Sequence, residues 1–203
     1  MTAGYIRNSP VFSGANLSIS GPGVFQLRGR NGSGKSTFAE LCSGYLRPWS
    51  GQVLVNGINA SDRGARDLRR VCRADPALFP AMTVHDHLAL TVTARGSSLE
   101  DALDRARSLG LAPWLAENAG SLSTGTAKKL WFVMNTLGRF TVGILDEPFN
   151  GVDAESAEVM ALEIGGWSEA AMIVLISHSQ HHSLQPARVI DLHSLSACNN
   201  END

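Results

Sequence analysis

Short apolar runs, bounded by turn-forming residues, divide the chain into candidate strands. Four runs are predicted strands: 24–27, 52–55, 142–145 and 172–176. The last two have the continuous hydrophobicity of strands buried in a parallel sheet. From residue 79 to about residue 122 the apolar positions recur at helical spacing instead. The pattern therefore predicts a single α/β domain, with a mixed, mostly parallel sheet and an α-helical subdomain inserted at about 79–135.

Turn and cap signals place several elements more closely. Asn56-Gly57 closes the second run and is typical of a tight turn. Residues 1–40 contain only short strand-like segments and turns before the first helix, so we expect a small N-terminal antiparallel β part. In the helical segment, Ser97-Ser98-Leu99-Glu100 predicts a capping box, and Gly110 favours a helix end.

The most informative polar segment is a glycine-rich loop, GRNGSGKST, that follows the first strand and opens a helix. Its spacing fits the phosphate-binding loop, in which backbone amides hold phosphates, Lys35 reaches the β- and γ-phosphates and the Ser36 hydroxyl ligates Mg²⁺. The helix N-terminus adds favourable electrostatics for an anion. The loop predicts a P-loop NTPase core that binds ATP and Mg²⁺ through Gly29, Asn31, Gly32, Ser33, Gly34, Lys35, Ser36 and Thr37.

Two other polar segments follow predicted strands. Asp146 and Glu147 end the run at 142–145, and Ser177-His178 ends the run at 172–176. The carboxyl ends of parallel strands meet at one edge of a sheet, where ligands bind. We therefore expect Asp146 to hold Mg²⁺ with Ser36, Glu147 to polarise the attacking water, and His178 to contact the γ-phosphate.

Composition narrows the possible partners. A net charge of −2 over 203 residues gives no broad footprint for nucleic acid or a membrane surface. The first ten residues lack the basic start and apolar core of a signal peptide, and no run is long enough to span a bilayer. The arginines at 63, 66, 69, 70 and 73 are interleaved with Asp62 and Asp67, which favours the solvated face of a helix over a binding surface for an anionic partner.

Four segments together resemble the nucleotide-binding subunits of ABC transporters, in the order that this family shows: GRNGSGKST, LSTGTAKKL, ILDEPFNGVD and LISHS. The resemblance covers residues 9 to 191. It implies that Ser123 and Gly125 belong to the signature that contacts the γ-phosphate of a second copy, and that Asp153 lies in the D-loop. Tyr5 is the candidate for the aromatic residue that stacks on adenine, and Phe12 is the alternative.

The resemblance also implies how such a chain works. Two cassettes, here most simply a homodimer, enclose ATP between them and separate after hydrolysis, which drives a separate transmembrane permease from the cytoplasmic face of the membrane. The DEPFNGVD segment is most similar to small exporter subunits. The alternatives are an ATP-dependent dimer switch with little turnover, and a nucleic-acid machine. The span between Lys35 and Ser123 is too short for the coiled coils or zinc modules of the latter.

Two departures from the family pattern bear on activity. The signature, usually LSGGQ, is LSTGT at residues 122–126, which keeps the serine and the second glycine. Ala74 stands where the family usually has a glutamine that touches Mg²⁺ and the attacking water, and Asp75 is the nearest oxygen donor. We therefore expect retuned closure of the dimer and slow basal ATP turnover.

Overall fold

A computed structural model describes residues 1–6 and 8–193. Its centre is a five-stranded, all-parallel sheet built from β1 (Gly23–Arg28), β4 (Arg69–Cys72), β5 (Val142–Asp146), β6 (Met172–Ile176) and β7 (Arg188–Asp191). The strands are ordered β4-β5-β6-β1-β7. All four predicted runs contribute strands, since the run at 52–55 supplies β2 (Leu54–Val55), which pairs with β3 (Ile58–Asn59) in a separate antiparallel hairpin. The predicted α/β class with a mostly parallel sheet is confirmed.

Alternating side chains direct the two faces of the sheet into two separate cores. In β6, Ile173 and Leu175 join one apolar cluster, whereas Val174 and Ile176 join the other. The first cluster lies under α3 (Val84–Arg95), α4 (Leu99–Ser108), α5 (Thr124–Thr136) and α6 (Ala154–Ser168). The second lies under α1 (Lys35–Ser43), the hairpin and the N-terminal segment. A sheet covered on both faces requires strands that are apolar throughout, as these runs are.

The antiparallel part of the fold consists of the β2–β3 hairpin and a few isolated bridges. The hairpin turns at Asn56 and Gly57, both at positive φ (50° and 77°), as a tight two-residue turn requires. The N-terminal segment adds isolated bridges, including Ala3 with Phe12 and Thr2 with Ser50. These backbone contacts fasten the first residues against the chain that leads from α1 into the hairpin.

The helices between β4 and β5 are short and firmly capped. Thr83 closes a capping box with Asp86 at the start of α3. The cap of α4 is Ser98, whose side chain accepts a hydrogen bond from the Asp101 amide at 3.3 Å, so the sequence analysis placed that cap one residue too early. Short 3₁₀ turns at Ala112–Trp114 and Ala119–Ser121 connect α4 with α5.

The arginine-rich segment differs from the sequence expectation. Only Arg63–Leu68 forms a helix, α2, and the chain then enters the edge strand β4. Arg69 and Arg70 are each 5% exposed, and the Arg70 guanidinium donates to the carbonyls of Leu137 and Arg139 at 2.8 and 2.9 Å. Burial lowers the pKa of Arg70 to about 10. These arginines tie loops to the sheet edge, because each guanidinium can satisfy several carbonyls at once.

Candidate nucleotide-binding site

The predicted chemical groups follow neighbouring parallel strands. The glycine-rich loop leaves β1, Asp146 ends β5, and Ser177-His178 follows β6. These strands are paired in the order β5, β6, β1, so their carboxyl ends lie side by side at one edge of the sheet. The sheet order therefore brings the glycine-rich loop beside two segments that lie more than a hundred residues further along the sequence.

The glycine-rich loop ends at an uncapped helix. Gly34 is the N-cap of α1 in the left-handed region (φ 95°), and neither a side-chain cap nor an acidic residue occupies the first turn of this helix. The first amides of α1 are thus left for another acceptor. A helix N-terminus of this kind binds anions through its free N–H groups and its dipole.

Close packing explains two of the loop glycines. A Cβ at Gly34 would lie 2.8 Å from ring and methyl carbons of Phe12 and Val11. A Cβ at Gly29 would lie 2.2 Å from the Ser33 hydroxyl oxygen. That hydroxyl is buried and has no hydrogen-bond partner within the described part of the chain. An orphaned buried donor beside free helix amides fits an anionic ligand.

Lys35 is held at the centre of the site. Its Nζ donates to the carbonyl of Gly29 at 2.9 Å and lies 3.1 Å from Nε2 of His178. The ammonium group therefore joins the loop after β1 to the loop after β6. Backbone carbonyls are exchangeable partners for this cation, and a phosphate oxygen would be a stronger one.

Asp146 has the environment of a metal ligand. The carboxylate is 5% exposed at the end of a fully buried strand. Burial and the neighbouring charge of Glu147 raise its pKa, while a hydrogen bond with Ser36 and the charge of Lys35 act in the opposite direction. The charge of Asp75 also reaches it and raises the pKa further. A divalent cation would relieve this crowding of negative charge.

Glu147 is positioned by strain and by specific contacts. Its backbone adopts φ 46°, and its amide donates to the carbonyl of Ile176 at 2.8 Å. Oε2 accepts from the Asn150 side chain at 3.1 Å. Oε1 is buried, lies 3.4 Å from His178 Nε2 and makes no hydrogen bond with any residue that the structure describes. Non-glycine residues at positive φ cluster at functional sites, and here Oε1 of such a residue lies beside His178.

The model of the family described as ABC transporter matches residues 12–150, which is more than half of the 203-residue chain. This chain belongs to the ABC transporter family. It is an ATP-binding cassette of the ABC ATPase type, and the matched range contains both the glycine-rich loop and the Asp146-Glu147 pair.

Curated relatives come from several branches of the family. The human ATP-binding cassette sub-family A member 10 is 37% identical over 145 residues, which is 68% of this chain and 9% of that protein. The spermidine/putrescine import ATP-binding protein PotA of Legionella pneumophila (strain Paris) is 26% identical over 185 residues, 87% of this chain and 50% of that protein. The chain thus spans about a tenth of the sub-family A relative.

Solved structures share the fold. A structure described as the ATP-binding subunit of an ABC transporter has a TM-score of 0.78 at 26% identity, over 87% of this chain and 76% of that one. A putative ABC transporter ATP-binding protein from Pyrococcus furiosus has a TM-score of 0.79 at 22% identity and 96% coverage of both chains. As for the membrane, no helix in the described part of the cassette combines the length and apolar character needed to cross one.

The predicted signature residues, Ser123 and Gly125, lie at the start of α5, a different element from the glycine-rich loop. Ser123 is exposed and caps α5, accepting from the Thr126 amide at 3.2 Å. A Cβ at Gly125 would lie 2.4 Å from the carbonyl of Gly151, so glycine at this position allows the loop after Glu147 to pack on α5. The described contacts do not join Ser123 to the glycine-rich loop.

Asp153, the predicted D-loop residue, caps α6 within its own chain. Its side chain accepts from the Ser156 amide at 2.8 Å and pairs with Lys129 of α5 at 3.1 Å. The hydrogen bond from Ser156 is the main reason that the pKa of Asp153 is lowered to about 2. This carboxylate therefore holds the start of α6 against α5.

The two candidate adenine-stacking residues differ in accessibility. Tyr5 is 63% exposed, whereas Phe12 is 1% exposed and packs against Gly34. A buried ring beneath the loop has no free face for a base, which leaves Tyr5 as the candidate. Its stacking role stays a prediction.

The loop that carries Ala74 is tied to two elements. The preceding residue, Arg73, forms a bidentate pair with Glu40 of α1, at 2.5 and 3.0 Å, and its carbonyl accepts from Trp131 of α5 at 3.0 Å. Ala74 itself offers no polar side chain to the site. The connection between the nucleotide edge and the helices thus runs through Arg73, which sequence reasoning did not single out as a coupling residue.

A buried polar chain beneath His178 was also missed. Gln26, fully buried in β1, donates to the Ser177 hydroxyl at 3.0 Å and to the carbonyl of Ser179 at 3.1 Å. Arg28 donates in turn to the Gln26 carbonyl oxygen at 2.9 Å. A lone glutamine in an apolar strand was the available signal, because a buried amide needs partners. The network fixes the loop on which His178 stands.

Proposed function

We propose that this cassette binds and hydrolyses ATP between two copies and thereby drives a separate transmembrane permease. The observation that supports it best is the cluster at the carboxyl edge of the sheet. There Nε2 of His178 lies 3.1 Å from Lys35 Nζ and 3.4 Å from Glu147 Oε1, beside a helix N-terminus with free amides.

The chemistry follows from the positions of the side chains. The amides of the loop and Lys35 would hold the β- and γ-phosphates. Ser36 and Asp146 would hold Mg²⁺, which their hydroxyl and carboxylate oxygens fit, and the ion would supply charge neutralisation on the phosphates. Glu147 Oε1 would orient and deprotonate the attacking water, and His178 would donate to the γ-phosphate. Asn150 keeps the other oxygen of Glu147 engaged, so one oxygen alone is presented.

The second half of the site is proposed to come from a second copy. Ser123 and the start of α5 are exposed, and an N-terminal helix dipole attracts the γ-phosphate of a facing molecule. A bacterial ABC transporter cassette that shares the fold at a TM-score of 0.78 was solved as a dimer. The relation between the two copies would be isologous, because each contributes its loop and its signature helix to the other.

Mixing two inactive variants tests this arrangement. Lys35→Ala damages the phosphate loop, and Ser123→Arg blocks the signature face. We expect each variant alone to lose at least about 100-fold in ATP turnover. An equimolar mixture should recover up to about one quarter of the wild-type rate, because half of the dimers then contain one intact composite site. Steady-state phosphate release measures both outcomes.

A mixture as inactive as its components would contradict the composite site. As a matched control, Lys35→Ala mixed with Glu147→Gln should recover nothing, since both changes damage the half of the site that each chain supplies for itself. Thermal denaturation of the single variants shows whether each one folds.

The permease, the location and the direction of transport belong to the same proposal. We propose that residues 79–135 act as the helical subdomain that contacts a separate transmembrane chain, with the cassette on the cytoplasmic face of the membrane. Relatives are named for organic anion transport and for spermidine/putrescine import, so the names support no single direction. We propose that the direction is export, because the DEPFNGVD segment is similar to that of small exporter cassettes. We propose no nucleic-acid partner for this chain.

The alternative function is an ATP-dependent dimer switch with little turnover. It is supported by Ala74, which stands where the family usually has a glutamine that touches Mg²⁺ and the attacking water. Placing a glutamine there would supply the missing amide beside Asp146 and the attacking water. We expect Ala74→Gln to raise the ATPase rate by roughly threefold to tenfold, a modest share of what one positioned polar group contributes. Phosphate release at saturating ATP measures this, with Ala77→Gln as a control later in the same loop. An unchanged or lower rate would mean that turnover is not limited by this position.

A further inference from the structure

Two adjacent histidines outside the nucleotide site converge on one carboxylate. Glu158 lies on the second turn of α6, and His181 and His182 lie in the turn after β6. Nε2 of His182 is 3.2 Å from Glu158 Oε2, and Nε2 of His181 is 4.0 Å from the same oxygen. One metal-ligating atom from each of the three residues lies within 4.8 Å of the other two. We propose that Glu158, His181 and His182 bind a divalent transition-metal ion of the zinc type.

The donor set selects the class of ion. Two imidazole nitrogens and one carboxylate oxygen suit Zn²⁺ and its first-row neighbours, whereas Mg²⁺ and Ca²⁺ prefer oxygen ligands alone. Tetrahedral zinc with bonds of about 2.0–2.2 Å places neighbouring ligand atoms about 3.3–3.5 Å apart. The pair of His182 and Glu158, at 3.2 Å, already has this separation. Nε2 of His181 lies 4.0 Å from Glu158 Oε2 and the three ligand atoms lie within 4.8 Å of one another, so His181 must move toward both partners to complete the set.

The surroundings orient the ligands. The Ser183 hydroxyl donates to Glu158 Oε1 at 2.5 Å, which leaves Oε2 as the oxygen that faces both histidines. The ring of His181 is enclosed between Phe149, at 4.8 Å, and the ring of His182, at 4.7 Å. Carboxylates held by an outer hydrogen bond and rings held by packing are the usual supports of a metal ligand.

Access and tautomer also permit binding. The side chain of His182 is 83% exposed, so an ion can enter and water can complete its coordination. Nδ1 of His181 accepts from the Ser183 amide at 3.4 Å, a long hydrogen bond that is given up when the ring proton moves to Nδ1 and frees Nε2 for the ion.

The position of the site gives it a consequence. His181 follows His178 by three positions, and its ring packs on Phe149, two residues after Glu147. Glu158 belongs to the helix that Asp153 caps. A bound ion would therefore tether the loop that carries His178 to the helix that follows the D-loop segment.

Zinc binding to the 203-residue chain, freed of metal by a chelator, tests the proposal. Isothermal titration calorimetry should show one Zn²⁺ bound per chain, and His182→Ala and Glu158→Gln should each weaken binding at least about tenfold. Hydrogen–deuterium exchange of residues 177–184 should slow when Zn²⁺ is added to the wild type but not to His182→Ala. Neither readout requires ATP or a second cassette.

Matched histidine variants locate the ion. His85 is an exposed histidine beside an acid on α3. The variants His85→Ala and His178→Ala should both bind Zn²⁺ with the wild-type affinity. The proposal is wrong if the wild type binds no stoichiometric Zn²⁺, or if His182→Ala and Glu158→Gln bind as the wild type does. It is equally wrong if His178→Ala alone removes binding, because the ion then lies at the nucleotide site.

Discussion

Replacing Glu147 with Gln should lower ATP turnover by at least about 100-fold, because the amide cannot take a proton from the attacking water. The structure singles out Oε1 of this residue, which is buried, 3.4 Å from His178 Nε2 and without a hydrogen bond among the described residues. Gln keeps the shape, so the contacts that bind ATP should persist. We therefore expect an ATP-bound dimer to accumulate, visible by size-exclusion chromatography with light scattering.

Glu169→Gln is the matched control, since it neutralises an exposed carboxylate at the C-terminal end of α6. It should leave ATP turnover and the oligomeric state unchanged. The same pair of measurements separates the two proposed functions. For a motor, the wild type turns over and Glu147→Gln stalls as a dimer. For a dimer switch, the wild type already persists as an ATP-bound dimer and the substitution changes little.

Gly34→Ala should weaken ATP binding by roughly 100-fold, a loss of about 2.7 kcal/mol. Two costs combine at this position. A non-glycine residue in the left-handed region costs about 1–2 kcal/mol, and the new methyl group would lie 2.8 Å from carbons of Phe12 and Val11. The loop can relieve the overlap only by moving, which turns the amides at the start of α1 away from the phosphates. Fluorescent ATP-analogue titration measures the affinity.

The control for this substitution separates backbone strain from overlap. Gly96 also adopts positive φ (63°), at the end of α3, and a Cβ there would meet nothing within 4 Å. Gly96→Ala should therefore cost about 1 kcal/mol of unfolding free energy and leave ATP affinity unchanged. If Gly34→Ala binds ATP as tightly as the wild type, the helix N-terminus is not the phosphate site.

Sequence reasoning succeeded where local chemistry and long-range structure demand the same residues. The run at 172–176 is apolar at every position because both faces of β6 are covered, so its burial was readable from hydrophobicity alone. The glycine-rich loop was equally readable, since its glycines serve a local backbone path. The fold class and the family followed from such segments.

Sequence reasoning failed where arginine occurs both on solvated helix faces and in buried strands. Arg69 and Arg70 belong to an arginine-rich segment that also contains Asp62 and Asp67, as a solvated helix would, yet they lie in β4 and satisfy loop carbonyls. Their guanidinium groups can be buried because backbone oxygens surround them, and those oxygens come from distant parts of the chain. No local pattern carries that information.

What the sequence determined by itself is the chemistry: an α/β cassette of the ABC transporter family, with the glycine-rich loop and the acidic pair that an ATPase requires. The tertiary structure alone decided the neighbourhoods. The sheet order sets Lys35 beside His178, packing sets Gly125 against Gly151, and the turn after β6 brings two histidines to Glu158. Motifs encode what a segment can do, whereas strand order and side-chain packing determine which segments meet.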